Sequence, residues 1–372
     1  MEASVCYWMK DDQAADDADL IERTTARLID EYMPIELPRG HLGMSQIGKK
    51  DERTLWLQFR WSLPDVPTPR TRRIFRVGHA LESEIISLLK NIPGVEVHDR
   101  NPSTGGQFNF KFIGGHFAGS MDGCIQGIPE SKQWHVLEIK TVSAKRFSDL
   151  QKKGVETWSP EYFAQLQCYM GATGMERALF VAYCKDNSEL HIERVKYAPM
   201  AFDTLLAKAE RLINSSEPPA SSYPKREWFE AKFISEEAQK VYWGDTLPAP
   251  NCRNCRFVSP RLDTPNAEWW CGLLAQNIML GSQRVGCDRH NFIPALMPAE
   301  SQELGDITAR YKTQDGTGFI NAFDTDKRPS VYSSKELFAI SQHGLNAATL
   351  ADEQIQTLRE SFHASVIGME AA

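Results

Sequence analysis

Between Val95 and Ile213 runs of strand-like and helix-like period alternate, and that alternation limits the folds open to this chain more than any other feature. Val95–His98, Gln107–Ile113, Phe117–Gln126 and Trp134–Val142 are short apolar runs bounded by Gly, Asn or Pro turns, the mark of strands. Helices are expected at Ala144–Lys153 and at Pro160–Gly171, the latter opened by a proline where the missing N–H costs nothing. Two further strands, Arg177–Cys184 and Leu190–Tyr197, and a helix at Met200–Ile213 follow. Upstream, helical spacing marks Leu20–Met33, Glu52–Trp61 and Val77–Leu89, the last with Leu81, Ile85, Leu88 and Leu89 as one stripe, and Pro64, Pro67 and Pro69 fall in a turn. The order predicts an α/β core, a mixed central sheet flanked by helices with further helices before it.

Composition divides the rest. Residues 1–36 hold ten acids against three bases and account for the whole net charge of −7, while residues 39–76 hold nine bases against three acids. A second basic group follows at Lys140, Lys145, Arg146, Lys152 and Lys153. Such patches, rather than the total, decide whether a polyanion is attracted, although charge runs are commonly plain solvated faces. The expected units are an acidic helical arm (1–38), the α/β core (39–214), a Ser/Pro-rich linker and connecting segment (215–249), a cysteine-rich module (250–294) and a tail (295–372). In that tail a hairpin (Gly318 to Asp324, then Ser330 to Tyr332) and a helix capped near Ser333 or Ser334 are the readable pieces. The longest apolar run, Ala178–Cys184, is far short of the ~20 residues that span a bilayer. The N-terminus has no basic stretch followed by an apolar one. The expectation is a cytoplasmic chain without a membrane.

The chemistry concentrates on two strands. Glu138 and Lys140, two apart on one strand, share a face, and Asp122 near the end of the preceding strand can meet Glu138. Two carboxylates in one site repel unless a cation lies between them, and oxygen ligands suit Mg²⁺ or Mn²⁺. Gln165 and Tyr169 are four apart on the following helix and so lie on one face. Asp122, fifteen residues, Glu138-Ile139-Lys140 and then a Gln-x-x-x-Tyr helix, preceded by Gly78-His79, resemble the PD-(D/E)XK nucleases, in particular the RecB-like branch with the YqaJ-type phage exonucleases. The resemblance covers roughly residues 40–200 and makes that stretch a nuclease core of the restriction-endonuclease-like fold. It implies that His79, Asp122, Glu138 and the Ile139 carbonyl ligate Mg²⁺ or Mn²⁺, and that Lys140 positions or activates water. It further implies that Gln165 and Tyr169 orient the lysine and the nucleic-acid backbone, with Glu82 as a secondary acid. The substrate implied is DNA, linear duplex or single strand, and the partner a single-strand-annealing or other recombination protein. For a phage-encoded chain the place is the host cytoplasm. Nothing in the sequence demands a ring or any other oligomer. His116 reads as structural.

Cys252-x-x-Cys255, then Cys271 and Cys287 at intervals of fifteen residues, suit tetrahedral zinc, with His290 as a competing ligand and an iron–sulfur cluster as the alternative. Cys6, Cys124, Cys168 and Cys184 are scattered and read as free thiols. RecB-like relatives with a cluster place one cysteine before the core and three after it. Here all four follow it, which favours structural zinc. Flanking Arg253, Arg256, Arg261, Trp269 and Trp270 suggest a DNA grip. Two functions compete: a Mg²⁺- or Mn²⁺-dependent DNA nuclease acting as an exonuclease in phage-type recombination or repair, and a non-catalytic nucleic-acid-binding protein on the same scaffold with a structural zinc module.

Overall fold

A computed structural model describes residues 20, 23, 24, 38–64, 67–224, 226, 235–323 and 326–362. The acidic arm, the helix expected at Leu20–Met33 and Cys6 therefore lie almost wholly outside the described residues. In chain order the first elements are β1 (Leu42–Gly43), α1 (Glu52–Phe59), α2 (Pro69–Lys90), β2 (Glu96–His98), β3 (Phe108–Phe112), β4 (Phe117–Met121), β5 (Gly123–Gln126) and β6 (His135–Val142). They continue with α3 (Ala144–Trp158), α4 (Pro160–Thr173), β7 (Arg177–Cys184), β8 (Leu190–Lys196) and α5 (Pro199–Asn214). The central sheet has the order β2-β5-β6-β7-β8, with β6 and β7 parallel and its other pairs antiparallel. The protein is a mixed α/β fold.

Strand alternation divides the sheet between two cores. Leu137 and Ile139 face α2, packing with Ile85, Ile86, Val97, Ile125, Leu179 and Val181. Val136 and Val142 face the other way, toward Phe147 and Leu150 of α3 and Leu166 and Met170 of α4. The expected α2 stripe holds at Ile85, but Leu88 is 55% exposed, and the helix begins at Pro69 instead of Val77 because Thr68 caps it. α3 runs past its expected end at Lys153, since Gly154 takes a left-handed φ of 68° and the helical path resumes beyond it.

One expected strand is two. Phe117–Gln126 breaks at Asp122: β4 joins a separate sheet of order β1-β4-β3, whereas β5 enters the central sheet. Gly123 is required at the break, because a Cβ there would stand 2.6 Å from the His98 carbonyl oxygen.

The Ser/Pro-rich stretch after α5 docks on α1 instead of hanging free. Ser215 O accepts from Trp56 Nε1 (3.0 Å) and an Arg60 amino group (3.1 Å), Pro219 O accepts from Arg53, and Asp51 accepts the Ser222 N–H at 3.0 Å. Beyond it, β9 (Val258–Pro260), β10 (Trp269–Cys271) and β11 (Gln276–Ile278) form a small antiparallel sheet. Its Trp269 joins the main core, 5.2 Å from the Phe59 ring centroid. His116, structural as expected, donates at Nε2 to Arg261 O (3.0 Å) and Glu268 O (3.1 Å).

The C-terminal portion is more ordered than its sequence suggests. β12 (Glu300–Leu304), β13 (Ala309–Lys312), β14 (Gly318–Asn321) and β15 (Val331–Tyr332) make a four-stranded sheet with its own core of Tyr311, Phe319, Tyr332 and Leu337. β14 and β15 run parallel, so the expected hairpin is corrected: the intervening chain crosses over instead of reversing. The expected helix is present at Ser334–Ser341, with Ser333 and Glu336 in a reciprocal capping box. No described helix is long and apolar enough to cross a membrane.

Two buried histidines give the fold an acid limit. Burial lowers His116 to about 4 and His290 to about 3. Folded values below the unfolded one near 6.5 mean that the unfolded chain binds more protons in acid. The stability that depends on these two histidines is therefore complete above about pH 6.5 and falls by up to ~1.4 kcal/mol per histidine per pH unit below it. Between pH 7.5 and pH 5 the urea midpoint of His116→Gln is expected to change less in the destabilising direction than that of the native protein, because the variant lacks this histidine's share of the loss while the other titrating groups are common to both.

Candidate active site

The break at Asp122 builds the site. β5 and β6 are antiparallel with Gly123 opposite Leu137, so continuing the register sets Asp122 across from Glu138. Asp122 Oδ2 accepts the Ile139 N–H at 2.8 Å. A strand residue presents its N–H and C=O to the same edge, so the Ile139 carbonyl leaves β6 beside that carboxylate. Glu138 is fully buried, and its Oε1 accepts a hydrogen bond from Lys140 Nζ. Its Oε2 is buried with no hydrogen-bond partner.

Other elements close around this pair. α2 passes β6 where a Cβ on Gly78 would lie 3.6 Å from Thr141 Oγ1. That brings exposed His79 and half-buried Glu82 into electrostatic reach of Asp122. On the opposite face α4 supplies Gln165 and Tyr169. Tyr169 Oη donates to Ser120 O (2.5 Å) and accepts from Gln165 Nε2 (3.0 Å). These two side chains thus hold the end of β4, two residues before Asp122. Tyr162, one turn ahead of Gln165, sets its ring 5.4 Å from Lys140 Nζ. Sequence reasoning passed over Tyr162 and Ser120. The signal for the first was available, since Tyr162, Gln165 and Tyr169 follow helical i, i+3, i+7 spacing.

The charges do not balance. Three carboxyls face one ammonium. Burial raises the Glu138 carboxyl to about 8, and the Asp122 and Glu82 charges add to the rise against the pull of Lys140. Burial likewise raises Asp122 and Glu82. Burial alone would lower Lys140, but the carboxylates of Glu138 and Asp122 outweigh it and hold its proton firmly. The carboxylates thus favour the ammonium form of Lys140. The site is short of positive charge, and in the absence of another cation a proton fills that place.

The cysteines lie in and around the small sheet of β9, β10 and β11. Among the described residues, no group of three or more His, Cys, Asp or Glu side chains is arranged as it stands to hold a metal ion, at either the carboxylates or the thiols. His290 donates at Nε2 to Asn251 O (3.1 Å) and Asn254 Oδ1 (2.9 Å), while its Nδ1 is buried without a hydrogen-bond partner. Of the residues expected to grip DNA, Arg253 and Trp269 are buried, whereas Arg256, Arg261 and Trp270 are partly exposed. Arg253 is fully buried, 3.6 Å from the Trp61 ring centroid and bonded to Gln283, while Arg256 and Arg261 bond to Gly305 O and Asp263. Arg53 and Arg60 of the basic block likewise donate to main-chain carbonyls inside the protein. Exposed among the bases of the two basic groups are Arg39 and Lys50 before α1, Arg70, Arg73 and Arg76 on α2, and Lys145, Arg146, Lys152 and Lys153 on α3.

Residues 62–176 match the family model of the YqaJ-like viral recombinase domain. This stretch is similar to the YqaJ-like viral recombinase domain. It contains His79, Asp122, Glu138, Lys140, Gln165 and Tyr169, the side chains that the fold has just brought together. Beyond the YqaJ-like domain, likeness to known proteins is remote. The alkaline exonuclease LHK-Exo from Laribacter hongkongensis is 18% identical, over 47% of this chain and 87% of that one, with a TM-score of 0.35. A phage related exonuclease from Haemophilus somnus 129PT is 13% identical, over 50% of this chain and 96% of that one, with a TM-score of 0.28. No curated protein matches the chain.

Proposed function

We propose that the protein is a Mg²⁺- or Mn²⁺-dependent deoxyribonuclease, an exonuclease of phage-type DNA recombination. The observation that carries this reading is the Glu138 carboxyl, sealed from water, bonded to Lys140 on one oxygen and without a partner on the other, across from Asp122. Burying such a group is costly unless something compensates it. Two carboxylates and the Ile139 carbonyl form a hard oxygen donor set of the kind that Mg²⁺ or Mn²⁺ takes, with His79 at the rim. Asp122, Glu138, Ile139 and His79 would hold the ion, which when bound relieves charge on a phosphodiester and lowers the pKa of its water.

The chain's own groups do the rest. Lys140, held protonated, places positive charge where the scissile phosphate becomes more anionic. Tyr162 and Glu138 fix its direction. Gln165 and Tyr169 act as positioning residues through Ser120, keeping the strand end that carries Asp122 in place. Glu82, raised by burial and by Asp122, can take up a proton released at the site. The exposed bases of α2 and α3 flank the site and contact phosphates without reading sequence.

Incubation with linear and closed circular DNA, with Mg²⁺ or with EDTA, tests the reading. Linear DNA is expected to be degraded only with the metal, and closed circles to survive. Tight binding with no cleavage would favour the non-catalytic alternative. Because a proton must leave Glu138 when the ion binds, the Mg²⁺ needed for half-maximal activity should fall about tenfold per pH unit up to about pH 8 and level off above it. A flat dependence between pH 6 and 8 would rule out that exchange.

A further inference from the structure

We infer that Cys252, Cys255, Cys271 and Cys287 bind one zinc ion, forming a second metal site that is separate from the carboxylates and serves the fold. Four backbone links lace the thiols together. The Cys255 N–H donates to Cys252 O at 3.3 Å, closing the Cys-x-x-Cys turn. The Val258 N–H donates to Cys255 O at 3.1 Å, and Val258 pairs with Cys271 across β9 and β10. The Gly286 N–H donates to Pro250 O at 3.2 Å, which returns the chain at Cys287 to the start of the turn. Cys252 consequently lies within electrostatic range of all three other thiols.

None of the four is in a disulfide. Cys255 and Cys271 are buried, whereas Cys252 is half-buried and Cys287 exposed, so the group opens to solvent on one side and an ion has a way in. Unlike the carboxylate site, the donors are all sulfur, which selects a soft ion such as zinc over Mg²⁺. Binding would turn the thiols into thiolates and release their protons. As the side chains stand, no three of these thiols converge on one point, so binding requires them to turn toward a common centre.

The position gives the ion a structural task. The same segment carries buried Arg253 between Trp61 and Trp269 and forms one wall of a cavity of about 510 Å³. The opposite wall includes Gly119 and Ser120, next to Asp122. Pinning the thiols would fix that wall against β4.

Full-length protein purified in metal-free buffer should carry about one zinc per chain by elemental analysis and be colourless. With Co²⁺ in its place it should show the intense visible bands of a tetrahedral thiolate site. Cys287→Ser removes an exposed group with little packing at stake, and should weaken zinc binding by more than the ~10–100-fold that follows loss of an outer-shell partner. Cys6→Ser should leave zinc content unchanged. Thiol titration of the native protein, which needs no variant, should find four slow thiols that become fast on chelation. Folded protein without metal, a coloured iron-containing protein, or zinc retained by Cys287→Ser and lost by Cys6→Ser would each overturn the assignment.

Discussion

Replacing Glu138 by glutamine is expected to lower Mg²⁺-dependent DNA degradation by about three orders of magnitude while making the protein more stable. The activity loss follows from the proposed role. Glutamine keeps the shape and still accepts from Lys140, but contributes no charge to a cation, and a loss of ~4 kcal/mol of transition-state stabilisation is about a thousandfold in rate. The stability gain has a separate origin. A carboxyl raised by burial from 4.5 to about 8 does not oppose folding below pH 4.5, where it is protonated in both states. As pH rises through 8 it becomes an unfavourable buried charge. At pH 8.5 without metal, Glu138→Gln should therefore raise Tm by about a few degrees, and at pH 4.5 by little. An active variant, or one less stable at pH 8.5, would sink the assignment of Glu138.

Removing Lys140 should be as damaging to activity and opposite in its effect on stability. In Lys140→Met the carboxylates of Glu138 and Asp122 lose the cation whose proton they hold. Breaking a buried ion pair from one side typically costs ~3–5 kcal/mol, and the quarter exposure of the lysine side chain reduces that figure here. The cost should be visible by urea unfolding at pH 9, and nearly vanish at pH 5, where the carboxyls take up protons instead. Activity should fall by about two to three orders of magnitude, as for loss of a transition-state charge donor. Lys140→Arg is not expected to rescue it, because a planar guanidinium cannot occupy the place of a compact ammonium between Glu138 and the Tyr162 ring. Equal urea midpoints for the variant and the native protein at pH 9 would show that the lysine does not neutralise the pair.

The contrast between these two variants shows how the site is maintained. It holds more acid than base in an interior that penalises both, and the surrounding α/β core supplies the stability that the site lacks. Arg253 is a similar case beside the cysteines: burial lowers it to about 9, yet it bonds Gln283, Gly40 O and Phe59 O, so its hydrogen bonds and ring contacts compensate the buried charge.

Local spacing determined a good deal by itself. The period of two places Glu138 and Lys140 on one face of β6, the period of 3.6 aligns Gln165 with Tyr169, Ser333 and Glu336 announce a helix start, and Arg177–Cys184 forms the strand that its apolar run predicts. Each is a property of a few neighbouring residues, and backbone geometry fixes it before any long-range contact forms. Only the tertiary structure decided that Phe117–Gln126 would split at Asp122 between two sheets, because the split depends on the close approach of His98 to Gly123. It alone decided which bases are inside, since Arg60 and Arg253 look no different in sequence from exposed Arg73. The same holds for the parallel pairing of β14 with β15 and for the docking of the Ser/Pro-rich stretch on α1. Burial and register are set by partners tens to hundreds of positions away, and a sequence read locally carries no record of who those partners are.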